Sequence, residues 1–345
     1  DLAGLPGLVK TERDIIGKPI IVGIQEKLTG ENGRDLYLTI DKTAQRIVKQ
    51  ALKAGIERYG AKNGCVIAMN PKDGAIKAFA CLPDFDPIDY GSYSEDVFRN
   101  PGISSLFEPG SIFKPLVMAA ALNEKSVKVD DTYDENGSIT IDGYEINNWD
   151  DTYAGKISMT HILEKSSNVG MVHVGSKMKK KTLIDYMSRY GFDDTTGIDL
   201  QGEVTSSVRP YDKWRTIEAS TLTFGQGIAI TPIQMVTAFA ALANGGNLVR
   251  PHVVDKMISE NGEVKKISTD PRHRVLSENT SKEIRTMLYK TVKHGEVKWK
   301  IPEGYKVGGK TGTAQIAVSG TYDGSKTNAS FVGFTPVDDP ELIML

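Results

Sequence analysis

The sequence lacks the features that mark nucleic-acid-binding, membrane-spanning and metal-binding proteins. Its 345 residues carry 42 Lys and Arg against 44 Asp and Glu, and a formal net charge of -2 gives no electrostatic case for nucleic acid as a partner. No apolar run is long enough to cross a bilayer. We expect no metal and no cofactor, because none of the five histidines has the spacing of metal ligands: His161, His173, His252, His273 and His294.

Cysteine is scarce, since Cys65 and Cys81 are the only two in the chain. Each falls in one predicted strand of the same hairpin, and a change of register by one residue would move a side chain to the other face of the sheet. A disulfide between them is therefore left open. Free thiols are common in protein cores, and we predict two free core thiols.

The composition is that of a globular protein, with 39% hydrophobic and 25% charged residues and enough length for two domains. The chain begins at Asp1 without a signal peptide, and it ends in an apolar strand pattern at 341–345. From these ends we expect a piece of a longer protein, truncated on both sides.

Strand patterns occupy both parts of the chain that flank a long helical region. Residues 64–70 and 75–82 predict a hairpin, whose apolar runs indicate a sheet covered on both faces. Residues 306–318, 328–335 and 341–345 predict further strands. The predicted fold class is α/β of the α+β type: one antiparallel sheet built from both chain ends, covered by helices, with an inserted helical subdomain.

Cap signals place three of the helices. Asp41 precedes a helix to about residue 59, and Ser277 precedes one to about residue 293. Thr231 followed by Pro232 opens a strong helix, because threonine is a good N-cap and proline fits the first helical position.

One stretch places a nucleophile next to a base. Residues 108–115 predict a turn followed by a helix, with Ser111 in the first turn and Lys114 three residues later on the same face. If the apolar run after Lys114 is buried, desolvation lowers the pKa of the lysine and suits it to activate the serine. The alternative is a helix-capping serine with a solvated lysine. The same spacing recurs at Ser176 and Lys179, in a basic run that we interpret as a solvated face.

Two further motifs carry groups that could complete such a site. Ser166 and Asn168 lie at a predicted break between two helices, where a hydroxyl can pass a proton and an amide can both donate and accept hydrogen bonds. A pair of helix caps is the alternative interpretation. Lys310, followed by Thr311, Gly312 and Thr313, opens a predicted strand that suits a carboxylate-bearing substrate, because glycine lets a ligand approach the backbone. The alternative is a lysine and threonines on an exposed strand without a ligand.

The order of the three motifs, Ser-x-x-Lys, Ser-x-Asn and Lys-Thr-Gly, resembles that of the serine acyl-transferring enzymes of the penicillin-binding and β-lactamase superfamily. More narrowly, the chain is similar to the transpeptidase domain of class B penicillin-binding proteins. The likeness includes the segments Leu38–Asp41, Asn70–Pro71, Arg99–Asn100, Phe224–Ile228 and Ala243–Gly246. It implies a transpeptidase domain over residues 36–345, truncated at its C-terminal end, and a remnant of a pedestal or linker module over residues 1–35.

The resemblance also implies an activity, namely D,D-transpeptidation of peptidoglycan through a serine acyl-enzyme. The implied catalytic residues are Ser111, Lys114, Ser166 and Lys310. The implied substrate-binding residues are Asn168, Thr311, Gly312 and Thr313. The implied partners are peptidoglycan stem peptides, β-lactams and a membrane glycosyltransferase of the shape-elongation-division-sporulation type, at the outer face of the cell membrane.

Three other functions share this chemistry and stay open at this point. A D,D-carboxypeptidase would use water as the acceptor, and a β-lactam sensor would be acylated once without turnover. A class D-like β-lactamase usually carries valine or a similar residue where Asn168 stands. A Ser-His-Asp hydrolase is disfavoured, because the chain contains no G-x-S-x-G motif.

Overall fold

The structure is a computed structural model, and it describes residues 2–20, 25–206, 208–294, 301–318 and 321–345. The described chain forms two compact units. The first unit comprises Asp1–Thr39 and Val254–Ser268, and the second comprises Ile40–Val253 and Thr269–Leu345.

The strands are β1 Leu8–Thr11, β2 Gln25–Leu28, β3 Asp35–Leu38, β4 Gly64–Met69, β5 Ile76–Leu82, β6 Thr132–Glu135, β7 Ile139–Ile141, β8 Tyr144–Ile146, β9 Gly155–Ser158, β10 Asn247–Leu248, β11 Val254–Ile258, β12 Val264–Lys266, β13 His273–Arg274, β14 Gly308–Val318, β15 Thr321–Thr335 and β16 Leu342–Met344. The α-helices are α1 Lys42–Tyr59, α2 Pro101–Ser104, α3 Lys114–Asn123, α4 Met159–Glu164, α5 Asn168–Ser176, α6 Lys180–Arg189, α7 Thr216–Leu222, α8 Pro232–Ala243 and α9 Glu278–His294. Short 3-10 helices span Pro87–Ser92, Glu95–Phe98, Gly110–Phe113 and Tyr211–Lys213.

The first unit is made of short antiparallel strands. Strands β1 and β2 pair with each other, and β12, β11 and β3 form a three-stranded sheet in that order.

The second unit contains a five-stranded sheet in the order β14-β15-β16-β4-β5, in which every neighbouring pair is antiparallel. Two of its strands come from the N-terminal part of the chain and three from the C-terminal end. This arrangement confirms the predicted sheet built from both chain ends. It also leaves β14, which carries the Lys-Thr-Gly motif, as an edge strand.

Helices cover both faces of this sheet, as the apolar runs of the hairpin predicted. On one face α1 packs through Val48 against Ala68, Ala78 and Ala80. The side chains of the opposite face join the main core, to which α3 and α8 also belong. The α1 helix begins where its cap predicted, since the Asp41 carboxylate accepts a hydrogen bond from the Ala44 N–H at 2.8 Å.

The helical region between β5 and β14 contains the most deeply buried helices. Every residue of α3 from Lys114 to Leu122 is buried, and so is most of α8, whose Thr231 and Gln234 form the N-terminal capping box. Within the described residues, no helix has both the length and the apolar character needed to span a membrane.

The cysteine prediction is wrong. Cys65 and Cys81 lie directly opposite each other in the β4–β5 ladder, with their Cα atoms 4.0 Å apart, and their sulfur atoms form a disulfide. Both residues are half-buried rather than part of the core. The register of the hairpin decides whether the two cysteines face each other and form a disulfide, and a single sequence does not determine that register.

Candidate active site

Ser111 lies in the short 3-10 helix that leads into α3, on a turn held by close backbone contacts. Gly110 adopts a left-handed conformation with φ +56°, which glycine reaches at little cost. Its N–H donates to the Gly225 carbonyl at 3.0 Å. A side chain at Gly225 would place Cβ only 2.1 Å from the Gly110 oxygen, so glycine is required there. The Glu108 carboxylate accepts from the Gly227 N–H at 3.1 Å and adds a second link.

Lys114 is fully buried, at 0% exposure, as a lysine that serves as a base should be. Its Nζ donates to the backbone carbonyl of Ser166, to the Ser166 Oγ at 3.2 Å and to the Asn168 Oδ1 at 2.8 Å. The alternative of a solvated lysine is therefore wrong. That Lys114 lies within hydrogen-bond distance of Ser111 stays a prediction.

The second motif lies at the junction of α4 and α5, as the break in the helical pattern predicted. Ser166 has φ +55°, in a region that residues other than glycine adopt rarely and keep only when their surroundings hold them. In this conformation both its carbonyl and its hydroxyl reach Lys114. The Asn168 side chain donates through Nδ2 to the Asn147 carbonyl at 2.9 Å, which orients its oxygen toward Lys114.

The third motif lies on the edge strand beside the nucleophile turn. A Cβ on Gly312 would be 3.0 Å from the Ile112 nitrogen, and one on Gly110 would be 3.0 Å from the Thr313 oxygen. The two backbones are therefore in direct contact. Lys310 is almost completely buried, with its Nζ 3.2 Å from the Thr311 carbonyl.

Side chains along β14 alternate between the two faces of the sheet, so the residues of the Lys-Thr-Gly motif lie in two different environments. Lys310 and Gly312 are buried, Thr311 is half-buried and Thr313 is exposed. The exposed Thr313 is accessible to a ligand at the edge of the sheet, whereas Lys310 is almost completely shielded from solvent.

The second Ser-x-x-Lys sequence takes no part in this arrangement. Ser176 is exposed, and its hydroxyl donates to the His173 carbonyl of its own helix at 2.7 Å. Lys179 is exposed as well. The interpretation of this run as a solvated face is confirmed.

Sequence reasoning missed the acceptor that orients Asn168, which is the backbone carbonyl of Asn147. No pattern of side chains could have marked it, because every residue has a carbonyl. The contact between Gly225 and Gly110 was also missed, although the segment that contains Gly225 was part of the resemblance.

A buried tyrosine supports the helix that carries Lys114. The Tyr190 hydroxyl donates to the Leu116 carbonyl of α3 at 3.0 Å. Complete burial raises the pKa of Tyr190 well above its ordinary value, and the neighbouring Tyr186 adds to the effect. The hydroxyl therefore stays protonated as a donor at neutral pH.

The site combines the Ser111 hydroxyl, a buried amine that donates to Ser166 and Asn168, and a second buried lysine on an adjacent strand. Such a set can perform acyl transfer with side chains and backbone N–H groups alone. Within the described ranges, no group of three His, Cys, Asp or Glu side chains is placed to hold a metal ion.

The family model of the penicillin binding protein transpeptidase domain matches residues 64–345. The chain belongs to this family. Stage V sporulation protein D of Bacillus subtilis is 39% identical over 349 residues, which are 100% of this chain and 54% of the relative. A peptidoglycan D,D-transpeptidase FtsI homolog of Mesostigma viride is 31% identical over 351 residues, which are 94% of this chain and 58% of the relative. This penicillin-binding protein chain thus spans somewhat more than half the length of these curated relatives.

Solved structures show the same fold. Penicillin binding protein 3 from Mycobacterium tuberculosis, in complex with aztreonam, matches with a TM-score of 0.85 and 26% identity over 97% of this chain and 80% of that one. A putative peptidoglycan glycosyltransferase from Atopobium parvulum matches with a TM-score of 0.83 and 30% identity over 92% of this chain and 74% of that one. The predicted fold of a penicillin-binding protein is confirmed.

Proposed function

We propose that this chain is the catalytic domain of a peptidoglycan D,D-transpeptidase that works through a serine acyl-enzyme. The observation that carries the proposal is the buried Lys114, which donates to Ser166 and Asn168 next to the turn that bears Ser111. The names of the relatives and the aztreonam bound to a structural neighbour support the substrate class.

In the first half-reaction, the Ser111 Oγ attacks the carbonyl carbon of the penultimate residue of a D-Ala-D-Ala terminus. Lys114 takes the hydroxyl proton, and this requires its amine to be neutral at that moment. The C–N bond then breaks, and Ser166, assisted by Lys310, passes a proton to the leaving D-Ala. The contacts of Lys114 with both oxygens of Ser166 support this relay.

The tetrahedral oxyanion would accept hydrogen bonds from the backbone N–H groups of Ser111 and Thr313. The close approach of β14 to the nucleophile turn supports this assignment. Donors of this kind typically contribute about 3 kcal/mol each to the stability of the transition state.

Substrate recognition is assigned to the same two sides of the site. Asn168 would hold the amide of the stem peptide through its side chain. Lys310 would attract the terminal carboxylate, which Thr311 and Thr313 would bind while Gly312 leaves room for the ligand.

In the second half-reaction, the amine of another stem peptide attacks the acyl-enzyme and forms the cross-link, which frees Ser111. A β-lactam would acylate the same serine and remain attached. In a full-length protein, the domain would act at the outer face of the cell membrane together with a glycosyltransferase. Residues 1–35 would be the remnant of a pedestal module, and residues 36–345 the catalytic domain.

The proposal is tested with a fluorescent penicillin. The wild-type chain and Ser176→Ala should form an adduct that persists for hours, and Ser111→Ala should form none. Absence of an adduct in the wild type, or its loss in Ser176→Ala instead, would contradict the proposal.

The same time course separates the alternatives. Rapid release of the adduct would favour a β-lactamase. With donor and acceptor stem peptides, a cross-linked product supports the transpeptidase, and hydrolysis alone supports a carboxypeptidase. A stable adduct without either product supports a sensor.

A further inference from the structure

The first turn of α5 is capped by its own N-cap residue, Ser167, and by Asn148, which is distant in the sequence. The first N–H groups of a helix have no partner within the helix. Here the Asn148 Oδ1 accepts from the N–H of Asn168 at 2.9 Å and from that of Val169 at 3.3 Å. The Ser167 Oγ accepts from the Gly170 N–H at 2.7 Å. Each of these three N–H groups thus has an acceptor outside the helix ladder.

Behind this cap lies a carboxylate for which the proposed mechanism has no role. Glu135, at the end of β6, is only 2% exposed. It accepts hydrogen bonds from the Ser167 hydroxyl and from the Ala154 N–H at 3.1 Å. Burying a carboxylate is costly unless its oxygens are hydrogen-bonded, and its charge is favourable close to a helix N-terminus.

The orientation of Asn148 is determined in the same way. This side chain is 7% exposed, and its Nδ2 donates to the Thr152 carbonyl at 2.9 Å. Because the amide nitrogen is used there, the amide oxygen is the atom that faces α5. Rotation of the amide would place its N–H₂ group against two backbone donors.

These contacts bear on the catalytic lysine through one residue. Ser167 lies between Ser166 and Asn168, which are the two residues that hold Lys114. Ser166 is in the left-handed region, which a serine keeps only when its neighbours hold it. A shift of Ser167 would therefore move two residues whose oxygens accept from Lys114.

We propose that Glu135 and Asn148 are positioning residues for acyl transfer. They hold Ser167 and the first turn of α5, so that Ser166 and Asn168 keep Lys114 in place for Ser111. The proposal rests on the proposed function, because it assigns these residues to the same site.

The test measures acylation by a fluorescent penicillin in stopped flow, which separates the dissociation constant of the first complex from the acylation rate constant. Asn148→Ala removes the acceptor of two N–H groups and should lower the rate constant about 10- to 100-fold, the loss expected when the support of a reacting group fails. The dissociation constant should stay within about threefold, because positioning acts on the chemical step.

Conservative variants provide the readout that a merely structural role would not produce. Asn148→Asp keeps an acceptor oxygen for the two N–H groups but loses the donor to the Thr152 carbonyl, so it should recover only part of the lost rate constant. Glu135→Gln keeps the shape of the side chain but loses its charge, and it should lower the rate constant about tenfold.

The controls are matched in type and location. Asn136→Ala removes an exposed asparagine side chain next to Glu135 that lies outside the contacts around Ser167. Asp134→Asn removes an exposed carboxylate next to Glu135. Both should acylate as the wild type does.

The proposal is overturned if Asn148→Ala or Glu135→Gln, corrected for the folded fraction, acylates at the wild-type rate, even if its melting temperature falls. It is also overturned if Asn148→Asp is no faster than Asn148→Ala. If Asn148→Ala does not fold, Glu135→Gln decides the question. Ser111→Ala is measured in parallel: a wild-type chain without Ser111-dependent acylation refutes the proposed function, whereas normal wild-type acylation with unaffected variants refutes only this inference.

Discussion

The chain contains the sequence Gly-Ser-x-x-Lys twice, at 110–114 and at 175–179, and the two copies lie in opposite environments, one buried and one exposed. The first begins a helix, and its lysine is fully buried with acceptors on Ser166 and Asn168. The second ends α5, and both its serine and its lysine are exposed.

The two copies share the same residue spacing, but they differ in whether the helix follows or precedes the serine and in whether the lysine is buried. In the first copy the chain enters a buried helix after the serine, so the lysine side chain has no route to solvent. In the second the serine hydroxyl returns to its own helix, at the His173 carbonyl, and Lys179 lies at the start of the next helix. A nucleophile-base pair therefore needs a core around it, which the short motif does not specify.

Replacing the lysine of each copy is the strongest test of the difference between the two copies. Lys114→Met removes the proposed base, and acylation should slow by about 10³-fold or more. Lys179→Met should leave acylation unchanged. The rate of labelling by fluorescent penicillin measures both.

A wild-type rate in Lys114→Met would show that burial of this lysine serves the fold only. A melting curve provides the control for folding, because Met leaves the acceptors on Ser166 and Asn168 without their donor, at a cost of about 1–3 kcal/mol each.

Replacing the two glycines tests the backbone of each copy and should have a smaller effect. At Gly110, with φ +56°, alanine would be strained, and its Cβ would lie 3.0 Å from the Thr313 oxygen. We expect acylation to slow about 10- to 100-fold, because β14 and the nucleophile turn would separate.

Gly175→Ala is the matched change. It lies in a helix, and its Cβ would meet the Thr223 Cγ2 at 2.4 Å. The expected loss is about 1–3 kcal/mol of stability from overpacking, with acylation of the folded protein unchanged. Denaturant unfolding and labelling rates distinguish the two results, and equal effects on labelling would contradict the distinction.

Much of the fold could be predicted because its signals are local. Thr231, Pro232 and Asp41 mark helix starts by their own chemistry, and the alternation of turns with apolar runs marks the strands. Ser111, Ser166 and Lys310 could be named as candidate site residues because the order of three motifs is specific, and their roles stay a prediction.

The rest depends on contacts between distant segments. Glu135 and Asn148 lie 32 and 19 residues from Ser167, and neither stands in a pattern that points to it. The prediction of free thiols failed for a related reason. The register of β4 against β5, which shifts between Ala68 and Met69, decides which side chains face each other. Register and long-range polar contacts arise from the packed structure, so one sequence without relatives does not reveal them.

The smallest expected effect comes from acidification, which protonates His173, the residue whose carbonyl accepts from the serine of the second copy. The His173 ring stacks on Tyr133 at 4.2 Å between centroids, and burial, followed by the charge of Lys177, lowers the pKa of His173 below its ordinary value of 6.5. The unfolded chain then binds the proton more readily than the folded one. The contribution of His173 to stability is present above pH 6.5 and is lost as the pH falls below it.

The melting temperature should drop between pH 7 and pH 5, and His173→Phe should reduce that drop while labelling of Ser111 at pH 7 stays at the wild-type rate. Ser176→Ala, which keeps the ring, should retain the full dependence on pH, and an equal drop in His173→Phe would show that other groups cause it.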